Sequence, residues 1–259
     1  MASRPAPSDA APAATPAPRA GRLIGVGVGP GDPALVTLQA LETLRSADRV
    51  VAPVSAPDAP GRAESIVRQV APERRVVRLA VEMRGPEGGY GPAAEQVLPW
   101  LDAGETVAFA TLGDPSIYST FPAFAAAVRA RRPATTVEWL PGICAFQALA
   151  ALTGTVLVDG TESLSLVTAL DGPGHLEEVL ARSGGAVVVY KGGRHLPAVA
   201  ASLAARGRLA GAVAGELLGL PGQRLGPLAE LADQPAAYLS TVLVPPARSG
   251  QPTPDAPEP

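Results

Sequence analysis

The sequence predicts an α/β protein built on two sheets, the first mostly parallel and the second mixed. Three observations carry that expectation. Apolar, β-rich runs alternate with helical stretches from residue 22 to about 206, the pattern of strands joined by crossover helices. Several of those runs end in glycine- and proline-rich turns leading into a helix. After residue 210 the helices thin out and short strands follow one another, so the second half gains antiparallel neighbours.

Each element follows in order. "RLIGVGV" (22–28) reads as a buried strand. Asp32 is placed to cap the next helix, with Pro33 at its first position. Leu35, Leu38, Leu41 and Leu44 recur every third residue as one apolar stripe. A second strand is predicted over 48–54, a helix over 62–71, a short strand over 75–79 and a helix over 92–103. "ETVAFATLGDPSIYST" is a strand (105–111) and a turn, followed by a helix over 120–131. Residues 135–142 are strand plus turn, and 143–152 are helical. "LTGTVLVDGTE" reads as a connection between lobes, which divides the folded chain into 21–153 and 154–247. The second part carries strands at 163–168, 185–193, 210–215, 223–226 and 237–244, with helices at 174–182 and 195–206. No internal repeat is visible. Residues 1–20 and 248–259 are Ala- and Pro-rich tails with little to bury, and are expected to be disordered.

Composition narrows the function. A net charge of −3 argues against a generic nucleic-acid binder. Cys144 is the single cysteine and His175 and His195 are the two histidines, so neither a disulfide framework nor a cysteine-based metal site is expected. No secretory signal and no membrane-length apolar run is read, which points to the cytoplasm. All the basic residues are arginines except Lys191.

The turns carry the candidate chemistry. "GVGVGPGDP" fails the dinucleotide fingerprint G-x-G-x-x-G in both registers, because the third glycine position holds Pro30 or Asp32. It also lacks the lysine of a P-loop. "LGDPSIYST" (112–120) repeats Gly-Asp-Pro after another strand. There Gly113 permits close backbone approach, and Asp114 either caps the next helix or accepts hydrogen bonds from a ligand. "PGICAFQALAA" (141–151) is a third such turn, in which Cys144 reads as a small buried hydrophobe rather than a nucleophile. Such turns at the carboxyl ends of parallel strands form a ligand crevice. Arg62, Arg68, Arg74, Arg75, Arg78 and Arg84 are concentrated in one stretch and read either as a basic binding surface or as solvated helix charges. "VEMRGPEGGYGP" (81–92) reads as a mobile loop.

In this order, "GVGVGPGDPALVTLQA", "GDPSIYSTF" and "PGICAFQALAA" resemble the tetrapyrrole methylase family. The resemblance continues through "VVVYKGGRHLPAVAASL", "GELLGLPGQRL" and "AYLSTVLV", covering about 22–244. Within the family, "LGDPSIYSTF", "KGGRHLP" and "GLPGQ" look most like the branch that methylates C-20 of precorrin-2. The resemblance implies two α/β domains, usually in a homodimer, with S-adenosylmethionine bound between them. It implies no metal, a tetrapyrrole substrate, and no nucleic-acid or membrane partner. It also implies cofactor contacts at Pro30, Gly113, Asp114, Ile117, Tyr118, Cys144, Ala145, Tyr190, Leu218 and Thr241. Arg84, Ser119 and Thr120 are the expected substrate contacts, and Asp114 and Lys191 the catalytic candidates. Asp114 would accept a proton; Lys191 would balance a carboxylate or polarise the macrocycle. The family usually has Ser or Thr where Cys144 stands and Met where Tyr190 stands. Another ring carbon, a cobalt-containing substrate, or a binding protein of the same fold without turnover are the alternatives.

Overall fold

The computed structural model describes residues 20–56, 58–81, 89–233 and 235–247. The expected tails, apart from Ala20, and most of the expected 81–92 loop, Arg84 included, lie outside the described residues.

The first sheet holds β1 (Arg22–Gly27), β2 (Arg49–Val54), β3 (Val76–Ala80), β4 (Thr106–Thr111) and β5 (Thr136–Leu140) in the order β3-β2-β4-β1-β5. All of its pairings are parallel. Alternation along the strands sorts the core into two faces. Leu23, Val51, Leu79, Val107 and Phe109 pack under α3 (Gly91–Asp102) and α4 (Phe121–Arg131). Ile24, Val26, Val50, Ala108 and Ala110 pack under α1 (Leu38–Ser46) and α2 (Arg62–Val70).

The second sheet holds β6 (Leu164–Thr168), β7 (Ala186–Tyr190), β8 (Val213–Glu216), β9 (Arg224–Pro227) and β10 (Ser240–Val244), in the order β6-β7-β10-β8-β9. Only β6 and β7 run parallel; β10 is antiparallel to both β7 and β8, as a mixed sheet requires. One face is covered by α6 (Gly174–Arg182), α7 (Leu196–Ala205) and the short α8 (Leu228–Leu231). The other receives α5 (Ala145–Thr153), whose Leu149 packs with Val188, Leu218 and Leu243. Thus α5 leaves the first sheet and buries its apolar side on the second.

The start of the first helix differs from expectation. Asp32 accepts from the Ala34 N–H and caps only a single 3-10 turn, Pro33–Leu35. α1 begins later, capped by Thr37, which accepts from the Ala40 N–H. The expected leucine stripe also fails. Leu44 is fully buried and Leu38 is 80% exposed. A spacing of three falls about 60° short of a full turn at each step, so it cannot hold one face of a 3.6-residue helix.

Candidate functional site

The carboxyl ends of β4, β1 and β5 lie side by side, and the glycines there set how closely their turns approach. A Cβ added at Gly27 would lie 2.6 Å from the Gly113 carbonyl oxygen and 2.6 Å from the Gly142 nitrogen, so three backbones meet where no side chain fits. Gly29 and Gly113 both have positive φ, and the Gly113 N–H donates to the Gly29 carbonyl at 2.7 Å. On the far side, a Cβ at Gly31 would meet the Leu218 carbonyl at 2.1 Å. The first glycine turn therefore abuts a loop of the second sheet.

A cavity of about 560 Å³ opens between the sheets at this point. From the first sheet's turns it is lined by Pro30, by Gly113, Asp114, Ile117, Tyr118, Ser119 and Thr120, and by Cys144 and Ala145. From the second sheet come Tyr190, Lys191, Leu218 and Thr241. Every expected site residue within the described chain thus lies on one cavity.

Asp114 does not cap α4. Its Oδ1 accepts from the Ser116 N–H and hydroxyl, and its Oδ2 accepts from the Gly142 N–H at 3.0 Å. The carboxylate ties the β4 turn to the β5 turn. Ser119 sits near the start of α4 instead, its Oγ accepting from the Phe121 N–H.

Tyr118 crosses the cleft. Its hydroxyl donates to the Leu166 carbonyl on β6 at 3.0 Å, its ring meets Tyr190 edge-on, and its own carbonyl accepts from the Lys191 ammonium at 3.1 Å. Tyr118 and Lys191 are both left-handed, with φ of 48° and 57°. Such backbone persists only where its surroundings hold it, and it concentrates at binding sites. Burial holds the Lys191 ammonium below its ordinary pKa.

Two departures from the family pattern find physical roles here. Cys144, 6% exposed, is the N-cap of α5: its sulfur accepts from the Gln147 N–H, and Gln147 Oε1 accepts from the Cys144 N–H at 2.8 Å. Burial first, and then the Asp114 charge, push the thiol up to about 11, so it is protonated and inert at neutral pH. The Tyr190 hydroxyl accepts from the Phe146 N–H, one of the donors that a helix start leaves unpaired, and burial raises its pKa strongly.

The cavity also has a wall that no motif indicates, from Pro53–Ser55 and Pro60–Ala63. Its one charged member is Arg62. Most of the arginines grouped with it hold the fold together. Arg68 and Arg78 both pair with Glu64, which is fully buried, and Arg74 donates to the Ala47 carbonyl. Burial alone would raise the Glu64 carboxyl, but the two guanidiniums hold it below its usual range. A second feature missed in the sequence is Ser240 at the start of β10. It is 3% exposed and lines the cavity with no hydrogen-bond partner for its hydroxyl. The Thr120 hydroxyl, also on the lining, is likewise buried and unpartnered. The hint available was a polar Ser-Thr pair opening an otherwise apolar strand.

Neither histidine lines the cavity, and among the described residues no cluster of three or more His, Cys, Asp or Glu is arranged to hold a metal ion. No helix among them is long and apolar enough to cross a membrane.

The family model for Tetrapyrrole (Corrin/Porphyrin) Methylases matches residues 22–232. The chain belongs to the tetrapyrrole methylases. A curated relative from Sinorhizobium sp, Precorrin-2 C(20)-methyltransferase, is 36% identical over 238 residues, covering 87% of this chain and 95% of its own. Cobalt-precorrin-2 C(20)-methyltransferase of Salmonella typhimurium is 29% identical over 234 residues, 86% of this chain and 96% of its own. Among solved structures, Uroporphyrin-III C-methyl transferase from Thermus thermophilus, complexed with S-adenyl homocysteine, superposes with a TM-score of 0.62 at 21% identity. It covers 86% of this chain and 97% of its own, and shares the fold.

Proposed function

We propose that this tetrapyrrole methylase transfers a methyl group from S-adenosylmethionine to C-20 of precorrin-2, giving precorrin-3A on the route to cobalamin. The supporting observation is convergence: turns far apart in sequence, singled out by their residues and by the family resemblance, line one cavity. Its volume of about 560 Å³ suits a small-molecule ligand, for which about 300–1,000 Å³ is usual. The unpartnered Thr120 and Ser240 hydroxyls give that ligand hydrogen-bonding groups that the protein alone leaves unsatisfied.

S-adenosylmethionine supplies the methyl as an electrophilic sulfonium. The protein's task is to align donor and ring carbon and to exclude water, an effect worth roughly 7–11 kcal/mol when geometry is held tightly. The glycine turns and Asp114 fix one side of the donor site. Tyr118, Tyr190, Leu218, Ser240 and Thr241 form the other, with Ser119 and Thr120 facing the substrate. Lys191 places a partly desolvated cation beside the cleft, where it balances a carboxylate or the ring's developing charge. Among the described residues Asp114 is the one carboxylate in the lining, and it is the proposed acceptor of the proton lost from the methylated carbon. Both of its oxygens are already engaged by protein donors, which makes transfer through water the fitting route.

Incubation with precorrin-2 and methyl-labelled S-adenosylmethionine, followed by mass spectrometry and NMR, tests the assignment. A label on any carbon other than C-20 refutes it. A parallel incubation with cobalt-precorrin-2 tests the second reading, which the Salmonella relative favours. We further read the protein as a cytoplasmic homodimer; sedimentation at the mass of one chain would overturn the dimer.

A further inference from the structure

The wall built from the loop after β2 and the first turn of α2 falls outside every motif that points to the methyl donor. Its chemistry is carried by Arg62. Among the described residues the cavity lining holds two cations, Arg62 and Lys191, and one anion, Asp114, whose oxygens are already engaged by three donors. Lys191 donates to the Tyr118 carbonyl. Arg62 is exposed at the cavity and forms no ion pair among the described residues, unlike Arg68 and Arg78.

Its position is also electrostatically unfavourable for the fold. Arg62 is the first residue of α2, where the helix dipole favours an anion and disfavours a cation. The N-cap, Gly61, offers no side-chain acceptor, and the acid of the first turn, Glu64, is buried and already held by Arg68 and Arg78. A guanidinium that opposes a helix dipole, faces a cavity and has no acid partner among the described residues breaks a local rule without compensation from them. Rules of this kind are broken where a ligand restores the balance.

We propose that Arg62 receives a carboxylate of the substrate macrocycle, making the 53–63 wall the substrate side of the cavity and the glycine turns the donor side. This rests on the tetrapyrrole reading above, in which the substrate carries eight carboxylates. A guanidinium fork binds a carboxylate through two parallel hydrogen bonds, and no other side chain on this wall can do so.

The test uses the full chain with Arg62→Ala, Arg62→Lys and, as a matched loss of charge away from the cavity, Arg75→Ala. Affinity for S-adenosylhomocysteine serves as the readout of folding and of the donor side. For Arg62→Ala we expect that affinity unchanged, KM for precorrin-2 raised about ten- to hundredfold with kcat nearly retained, and a shallower salt dependence of kcat/KM. Arg62→Lys recovers part of the loss, and Arg75→Ala behaves as wild type. An unchanged KM in Arg62→Ala, or an equal change in Arg75→Ala, overturns the proposal. Binding of uroporphyrin, a porphyrin octacarboxylate, is measured alongside by fluorescence quenching. If the wild type binds uroporphyrin but does not methylate precorrin-2, the functional reading fails and Arg62 is still judged on whether its loss weakens that binding. If the wild type does not bind uroporphyrin, the carboxylate anchor is refuted directly.

Discussion

The two sides of the cavity are made by different means. On the first sheet, the turns after β1, β4 and β5 are held by backbone against backbone, with Gly27, Gly113 and Gly142 in mutual contact. On the second sheet, the lining is made by side chains at the end of β7 and the start of β10: Tyr190, Lys191, Ser240 and Thr241. A backbone-built wall tolerates almost no added atom. A side-chain-built wall tolerates substitution but loses the particular contact. Mutations of similar size should therefore fail differently on the two sides.

The largest effect is expected at Gly27→Ala. The new Cβ would meet backbone atoms on two neighbouring turns at once, and neither is the free end of a side chain. Overpacking of this kind costs about 3 kcal/mol, which lowers Tm by about 6–12 °C in a chain of this size. Affinity for S-adenosylhomocysteine should fall at least about tenfold, because the turns of Pro30, Gly113 and Gly142 must separate. Near-wild-type melting would show that the close approach is not a constraint.

Glu64→Gln tests the same side one layer out. The buried carboxylate anchors α2 to β3 through Arg78 and receives Arg68 as well. Removing one partner of a buried pair costs about 3–5 kcal/mol, and solvent around the exposed Arg68 reduces this to about 2–3 kcal/mol. The folded carboxyl is held below its usual range, so its stabilisation is fully present above the unfolded pKa of about 4.3 and is lost as pH falls through the folded value. Melting curves of the two proteins should therefore be furthest apart near neutrality and converge below about pH 4. A gap independent of pH would mean that the carboxylate's charge is not the source.

This contrast also explains what the sequence made legible. Glycines that permit close approach leave a pattern in the chain, so the turns at Pro30, Gly113 and Cys144 stood out before any coordinates. The alternation of strands and helices and most helix bounds followed from the apolar runs, and the mixed second sheet from the short strands crowded after residue 210; the strand order within each sheet was not legible. The 53–63 wall left no such mark, because Pro53, Val54 and Ser55 are ordinary strand-end residues and Arg62 sits among arginines used as ion pairs. The leucine repeat misled because a period of three reads as a stripe only until the helix start is known, and Asp32 capped a 3-10 turn ahead of it. Asp114 looked like a cap by its place before a helix, yet its acceptors reach a neighbouring turn that is distant in sequence.

On the side-chain wall, Ser240→Ala should separate stability from binding. The serine hydroxyl is buried and unpartnered, so its removal relieves a desolvation cost and should raise the stability of the ligand-free protein by about 1 kcal/mol. The same change takes away a hydroxyl proposed to bond the ligand and should weaken S-adenosylhomocysteine about five- to tenfold, the reverse of the coupled losses expected at Gly27. Unchanged affinity by calorimetry would remove Ser240 from the site.

The smallest effect belongs to Cys144→Ser, where the two sides meet at the N-cap of α5. Sulfur already accepts from the Gln147 N–H, and the reciprocal bond from Gln147 is in place, so the substitution changes the quality of the acceptor without changing the geometry. A serine hydroxyl is the better N-cap, and the expected gain is about 0.5 kcal/mol, a rise in Tm of about 1–2 °C. The thiol itself should be nearly inert: with its pKa near 11, little thiolate exists at pH 8. Disulfide reagents should therefore react with the native protein far more slowly than with the urea-unfolded chain, and more slowly still once S-adenosylhomocysteine fills the cavity. Rapid modification of the native protein would show that α5 opens away from the second sheet. The boundary between the two walls would then be a hinge rather than a fixed seam.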